Sequence, residues 1–291
     1  MNPFQNSTFS TIQDHFLLPS NAIPLEKLPE YSHSVKEVFL KNGPFLYEEG
    51  GEDQVSHLIP LKFIDSQIVY KGQWKNGQRY GRGEQHWPDG SIYQGYWEAN
   101  LMHGKGRYIF ANGDVYDGEW KEGKFWGRGT YQSFNGMRYK GQWENGKKHG
   151  FGIEHWSDGT IYEGSYSMGI KQGKGRFTWI DGSSYYGMLY QNNRHGYGKY
   201  SWADGRIYQG EWRNNKMEGY GEYSWSDGRR YIGDCHDDRK HGYGVYEYAD
   251  GSIYEGYWKQ GKQHGVGTFI SNEGEERKGR WEEGRRVEWL E

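Results

Sequence analysis

The sequence predicts an all-β protein, an elongated single-layer antiparallel β-meander of hairpins (a β-solenoid-like ribbon) with a short N-terminal helix. Three observations predict it. Tyrosine recurs every 23 residues, at Tyr70, Tyr93, Tyr116, Tyr139, Tyr162, Tyr185, Tyr208, Tyr231 and Tyr254, with no insertion or deletion. A fixed period of this kind marks a repeat array whose units touch mainly their neighbours. Within each unit, Tyr-x-Gly-x-Trp and then Gly-x-Gly-x-aromatic alternate by two, the side-chain period of a strand. An Asp-Gly or Asn-Gly pair closes most units, as at Asp89-Gly90 and Asn112-Gly113. That pair favours a hairpin turn because it tolerates positive φ.

The elements follow in chain order. Residues 1–30 read as a disordered tail, in which Asn2-Pro3-Phe4 matches a short endocytic docking motif. Ser34-Val35-Lys36-Glu37 has the Ser-x-x-Glu form of a capping box. It predicts a short helix through about Lys41 with Val35, Val38 and Phe39 on one side. Pro60 to Gln67 reads as the second strand of a degenerate leading repeat, and Tyr47 stands 23 residues before Tyr70. Residues 31–69 are therefore a helix plus a capping half-repeat, and 70–276 are nine full repeats. Counting offsets from each opening tyrosine, 0, 2 and 4 share one strand face with 11, 13, 15 and 17 of the next strand. Offsets between 4 and 11 read as a polar loop, as in Lys75 to Tyr80. Glycines at 2, 11 and 13 leave bare backbone on which rings of adjacent strands can lie, as in aromatic rescue of strand glycine. Residues 277–291 form a partial capping repeat with Gly279 and Trp281, and Glu273 interrupts the last Asp-Gly turn.

Composition separates the two ends. Residues 1–69 hold six of the seven prolines and none of the 14 tryptophans, with a net charge of −5, and the remainder is +2. The balance is unlike the strongly basic field of a nucleic-acid binder, so no nucleic-acid partner is expected. Cys235 is the single cysteine, which excludes an intrachain disulfide. No run approaches the ~18 apolar residues of a membrane span. These features suggest a cytoplasmic, reducing setting.

The nine units resemble MORN repeats (membrane occupation and recognition nexus), over Tyr70 to about Glu276, and the layout is similar to MORN-array proteins of ciliates. Departures are Leu189 and Cys235 at offset 4 and Ser133 and Ser271 at offset 17. The resemblance implies a non-catalytic scaffold for protein assembly, in cilium, axoneme, a radial-spoke-like complex or cortical cytoskeleton. It also implies protein partners from such an assembly, with a homodimer open. The family's name carries the alternative of a peripheral adaptor that binds anionic phospholipid. Similar arrays can be joined to kinase or methyltransferase domains, but the 69 residues before the array and about 15 after it are too short for one, so no enzyme is expected.

The candidate site residues lie on the face opposite the rings. Offset 12 reads Arg82, Lys105, Arg128, Phe151, Lys174, Tyr197, Tyr220, Tyr243 and Val266, drifting from basic to aromatic. Arg107 and Arg176 extend a stripe for an anionic partner. Phe151, Tyr197, Tyr220 and Tyr243, joined by Tyr186, Met188, Ile232 and Tyr257, form a candidate protein interface, since exposed apolar patches mark interfaces. Trp126 sits in a segment that is polar in other repeats and is a further candidate anchor. Lipid binding would draw on ~1 kcal/mol per clustered cation, and acids such as Glu84, Glu119 and Glu122 dilute the stripe. The histidines at offset 10 (His103, His149, His195, His241 and His264) sit in repeats spaced ~9–10 Å apart, two strands each, too far to share a zinc that needs ~2.1 Å bonds. The turn carboxylates, among them Asp89 and Asp158, cannot converge for acid–base chemistry. Cys235 occupies a ring position and reads as a packed thiol. Gly81-Arg82-Gly83 lacks the strand-to-helix context of a phosphate loop. No cofactor, metal or catalytic residue is therefore expected.

Overall fold

The computed structural model describes residues 21–48 and 60–290. They fall into two compact units, up to Gly150 and from Phe151 onward. The first unit holds β1 (Ala22–Pro24), α1 (His33–Asn42), β2 (Leu61–Phe63), β3 (Val69–Lys75), β4 (Gln78–His86), β5 (Ile92–Glu98), β6 (Leu101–Ile109), β7 (Val115–Lys121), β8 (Lys124–Gln132) and β9 (Arg138–Glu144). The unit boundary falls inside β10 (Lys147–His155). The second unit continues with β11 (Ile161–Ser167), β12 (Ile170–Thr178), β13 (Ser184–Tyr190), β14 (Asn193–Ser201), β15 (Ile207–Arg213), β16 (Lys216–Ser224), β17 (Arg230–His236), β18 (Arg239–Glu247), β19 (Ile253–Lys259), β20 (Lys262–Ile270), β21 (Glu276–Glu282) and β22 (Arg285–Trp289). Successive strands pair antiparallel from β1 to β9 and again from β11 to β22. Each unit is an all-β meander of hairpins, and α1 is the one helix among the described residues.

One ring-on-glycine arrangement builds every repeat. Tyr70 is fully buried, and it lies on the glycines of its own hairpin. A Cβ on Gly83 would sit 2.3 Å from the Tyr70 hydroxyl, and one on Gly72 2.4 Å from it. The covering ring therefore belongs to the same hairpin, not to a neighbouring one. The hydroxyl donates to the Gln73 carbonyl at 3.0 Å. The next unit's Trp97 meets Tyr70 edge-on at 5.4 Å and donates Nε1–H to Gly83 O at 3.3 Å. Trp120, Trp212 and Trp258 repeat that bond onto Gly106, Gly198 and Gly244. Where offset 4 is tryptophan, these indole nitrogens join a repeat to the one before it, and the T-shaped contacts suit the ring quadrupoles. Leu189 and Cys235 fill the same buried position at 3% and 6% exposure.

The turns depart from the sequence reading. The tight two-residue turn lies at offsets 6 and 7, inside what reads as a polar loop. Asn76 and Gly77 have φ of 52° and 72°, and Asn214 and Asn215 have 50° and 72°. Two successive positive φ values are the mark of a type I′ hairpin turn, whose twist matches its strands. At the Asp-Gly end only the glycine is left-handed, with Gly90 at 91°. Gly90 N–H donates to Trp87 O at 3.0 Å, and Ser91 N–H to the Asp89 carboxylate at 2.8 Å. The last turn, interrupted in sequence by Glu273, still closes. Gly274 is left-handed at 88° and donates to Ser271 O at 2.9 Å. This turn closes on a left-handed glycine without the aspartate side-chain bond, and Ser271 Oγ accepts from Glu275 N–H at 3.0 Å instead.

The offset-11 glycines also differ from expectation. Gly81 has φ of 66°, and a Cβ there would meet the Gln73 side chain rather than a ring. It sits where the ladder slips, between the pairs Gly72↔Gly83 and Trp74↔Arg79. It therefore serves a β-bulge and not the aromatic platform.

At the N-terminal end, Ser32 is the N-cap of α1 and makes no side-chain capping bond. The Ser34–Glu37 capping box does not form. Ser34 Oγ donates to Ala111 O at 3.1 Å, and Glu37 pairs with His33 at 3.2 Å. The strand β2 pairs with β3, but its outer neighbour is Ala22–Pro24 and not a strand carrying Tyr47. These three residues, read as part of the tail, cover an edge that would otherwise present unpaired backbone. Asn2-Pro3-Phe4 lies outside the described residues. At the other end β21 and β22 form a hairpin, with Trp281 buried edge-on to Tyr254 at 4.9 Å.

Candidate protein-docking face

The face opposite the rings carries the candidate residues, and the two units present it differently. In the first unit α1 lies upon it. Val35 and Val38 are buried against Ile92, Ile109 and Val115, with Tyr31 and Phe39 packed at the margin. Tyr31 stacks on His86 at 5.6 Å and donates its hydroxyl to Glu84 at 3.1 Å. Burial alone would raise the Glu84 carboxyl. Hydrogen bonds from His86, Gln94 and Tyr31 outweigh that and hold it below its ordinary value.

Residues 43–48 continue across the same face. Arg107 donates to Gly43 O at 2.7 Å and to the Asp117 carboxylate at 2.8 Å. Tyr47 donates to Gly83 O at 3.2 Å, and its ring meets Tyr96 edge-on at 5.7 Å. The Arg82 guanidinium lies 5.7 Å from the Tyr47 ring centre and donates to Glu48 O at 2.6 Å. Tyr96 accepts from Glu48 N–H at 3.1 Å, and Lys105 pairs with the Glu48 carboxylate. Three residues of the basic stripe, Arg82, Lys105 and Arg107, are thus engaged by the chain's own N-terminal segment. Arg128 on β8, and Lys174 and Arg176 on β12, are exposed, with Arg176 5.3 Å from the Tyr186 ring.

In the second unit the same face carries aromatic side chains. Phe151, Tyr197, Tyr220 and Tyr243 are 52%, 57%, 58% and 47% exposed. Tyr186, Met188 and Tyr257 are exposed beside them, while Ile232 is half-buried. The register sets each offset-12 ring opposite offset 3 of the next repeat: Tyr197↔Glu211, Tyr220↔Asp234 and Tyr243↔Tyr257. Tyr197 accepts from Gln209 at 2.9 Å, and Tyr243 donates to Glu255 at 2.9 Å. These bonds tie the two hydroxyls to side chains of the neighbouring strand while the rings stay about half exposed. Trp126 is apart from this row. It is half-buried on β8, beneath the Lys121 ammonium at 4.6 Å. Its neighbour Phe125 stacks on Tyr116 at 3.7 Å and belongs to the ring face.

Sequence reasoning missed a row of cations at offset 9 on the ring face. Arg79 lies 4.5 Å from the Trp97 ring and Arg194 4.5 Å from Trp212. Lys171 pairs with buried Glu154 at 3.0 Å, which also accepts from Tyr166 at 2.8 Å. Lys240 is boxed by Tyr246 at 4.1 Å and Trp258 at 4.5 Å. Burial pulls its ammonium down to about 8. Such contacts are cation–π attractions that strengthen when desolvated. The signal was a recurring Lys or Arg two residues before the offset-11 glycine. Among the described residues no three His, Cys, Asp or Glu side chains converge as a metal cluster, and no helix is long and apolar enough to cross a membrane.

A family model for the MORN repeat matches nine consecutive segments, 70–92, 93–115, 116–138, 139–161, 162–184, 185–205, 208–229, 231–253 and 254–275. No curated protein matches in sequence. Among solved structures, the TCP10 domain of Danio rerio CPAP in complex with a peptide of Danio rerio STIL is similar at 14% identity, with TM-score 0.45. The overlap covers 77% of this chain and 98% of that one. The SAS-4 TCP domain of Drosophila melanogaster, in complex with a proline-rich motif, matches at 10% identity and TM-score 0.28, over 62% and 85% of the two chains. At those values neither likeness carries an argument.

Proposed function

The chain belongs to the MORN repeat family, and from that premise we propose that it is a non-catalytic scaffold that docks proteins on the exposed aromatic row of its second unit. MORN repeats are a protein-binding, membrane-associated class of repeat and not a class of enzyme. The observation that supports this reading is the row Phe151, Tyr197, Tyr220 and Tyr243, about half exposed at one repeat offset. Each ring is rigid and set at the same repeat offset, and the three tyrosines are amphipathic and stand in consecutive repeats. Weak contacts in such a register add through effective concentration. Aromatic anchors of this type concentrate binding energy.

The setting we propose is a cytoplasmic assembly of the cilium, the axoneme or the cortical cytoskeleton, where extended repeat surfaces serve as platforms. Lipid binding is the weaker reading. Arg82, Lys105 and Arg107 are already engaged by the N-terminal segment and Asp117. A surface attraction that needs several clustered cations has few left to use.

The test is quantitative affinity purification of the Tyr220→Glu/Tyr243→Glu double variant beside the wild-type chain, with proximity labelling in the native cell. Both side chains are exposed, so the fold should survive. Loss of a specific set of partners is the expected result. An unchanged partner set in the double variant rejects the aromatic row as the docking surface.

A further inference from the structure

The second unit contains a hollow of ≈ 360 Å³ on the open face, walled by Lys174, Met188, Tyr197 and Lys199. Each wall residue stands four repeats after a residue that holds the N-terminal segment in the first unit. Lys174 matches Arg82, Met188 matches Tyr96, Tyr197 matches Lys105 and Lys199 matches Arg107. The register is the same in both places, with Arg82↔Tyr96 and Gly83↔Gly95 in one and Lys174↔Met188 and Gly175↔Gly187 in the other. In the first unit this site is filled by Tyr47 and Glu48.

We infer that the hollow receives an extended peptide of a partner protein that presents tyrosine followed by glutamate. The inference rests on the docking reading above and names the chemistry of the occupant. The tyrosine ring would lie beneath the Lys174 ammonium and against Met188, as Tyr47 lies beneath Arg82 and against Tyr96. Its hydroxyl would donate to Gly175 O, as Tyr47 donates to Gly83 O. Leu189 sharpens that match. In the first unit the Gly83 carbonyl also accepts from the Trp97 indole, but Leu189 has no N–H to give at the corresponding place. The carboxylate would meet Lys199 and the Tyr197 hydroxyl. Tyr197 already accepts from Gln209, which leaves its own proton to donate. The occupant is a different protein and not a second copy, because in each copy Tyr47 and Glu48 are already engaged on their own first unit.

The experiment uses the full chain labelled with ¹³C at the methionine methyls, titrated with a synthetic peptide of residues 42–48, Asn-Gly-Pro-Phe-Leu-Tyr-Glu. The Met188 methyl, assigned from a Met188→Ile sample, is expected to shift and saturate. Replacing the peptide tyrosine by alanine should weaken binding about tenfold, the loss typical of a buried aromatic anchor. Lys174→Glu in the protein should weaken it to a similar degree. Lys174 is exposed, and the peptide substitution leaves the protein untouched, so misfolding cannot mimic the result. An unmoved Met188 methyl, or an alanine peptide that binds equally well, overturns the inference. If that happens while Tyr220→Glu/Tyr243→Glu still removes partners, the docking face stands and only the occupant of this hollow is rejected.

Discussion

The first and second units are built from the same repeat, yet one face of the first is covered and that face of the second is open. In the first unit Val35, Val38, Tyr31 and Tyr47 occupy it. In the second, Tyr186, Tyr197, Tyr220 and Tyr257 stand more than half exposed there. The ring face shows no such contrast. Tyr70 and Tyr208 are both fully buried on paired glycines. The difference separates a ring face that is the same in both units from an opposite face that varies, where the docking we propose would occur. On the first unit the covering consists of α1 followed by an extended stretch bearing Tyr47 and Glu48.

The comparison can be broken from the covered side. Val35→Asp places a carboxylate, with no partner, against Ile92, Ile109 and Val115. It should destabilise the docking of α1 by about 3 kcal/mol, read as a lower denaturant midpoint for the first unit. The second unit's transition should not move. If both units weaken equally, the covering helix is not a local feature.

The shared face offers a smaller, symmetrical test. Gly83→Ala and Gly198→Ala each place a methyl 2.3–2.4 Å from a tyrosine hydroxyl. Each should cost about 2–3 kcal/mol, the range for overpacking a filled site. Equal losses in the two units, measured by chemical denaturation, are expected. A loss in one unit alone would mean that the rings are not equivalent.

A pH effect sharpens the contrast at offset 9. The first repeat has Arg79 over its rings, a guanidinium that stays charged. The eighth has Lys240, pulled down to about 8 by burial, then by Arg229. The unfolded chain holds that proton to about 10.4. Between those values the unfolded state binds more protons, so stability rises with pH across the window. The gain is complete above the unfolded value and is lost as pH falls through 8. The Cys235 thiol, pushed up to about 11 by burial, opposes it above pH 9. Denaturation from pH 7.5 to 9.5 in a Cys235→Ala background isolates the lysine. The rise should vanish in Lys240→Met, and a rise that persists there would assign it to another group.

Much of the ring face was legible in the sequence, because a strict period leaves no choice of register for Tyr70, Gly72 and Trp74. The turns were interchanged for a physical reason. Asp-Gly is the stronger hairpin signal by composition, but the type I′ turn was placed at Asn76-Gly77 and at pairs such as Asp237-Asp238, which vary from unit to unit. The apolar character of the covered face was harder to see. Ile92, Ile109 and Val115 are spread over two repeats and gain meaning only once Val35 and Val38 are set against them. Tyr47 was misplaced because its spacing of 23 from Tyr70 imitates the repeat, whereas its contacts are with Gly83 and Tyr96 on the opposite face. The offset-12 drift from Arg82 to Tyr243 is plain in the sequence, but only the fold shows that Arg82 is engaged by Tyr47 and Glu48.

Side-chain footprinting of tyrosine, read by mass spectrometry on the full chain, tests the division of faces most directly. Tyr197, Tyr220 and Tyr243 should be modified several-fold faster than half-buried Tyr31, Tyr47 and Tyr96, and the fully buried Tyr70 and Tyr208 slowest of all. Equal rates for Tyr47, Tyr96 and Tyr220 would contradict the claim that the N-terminal segment covers this face in the first unit and leaves it open in the second.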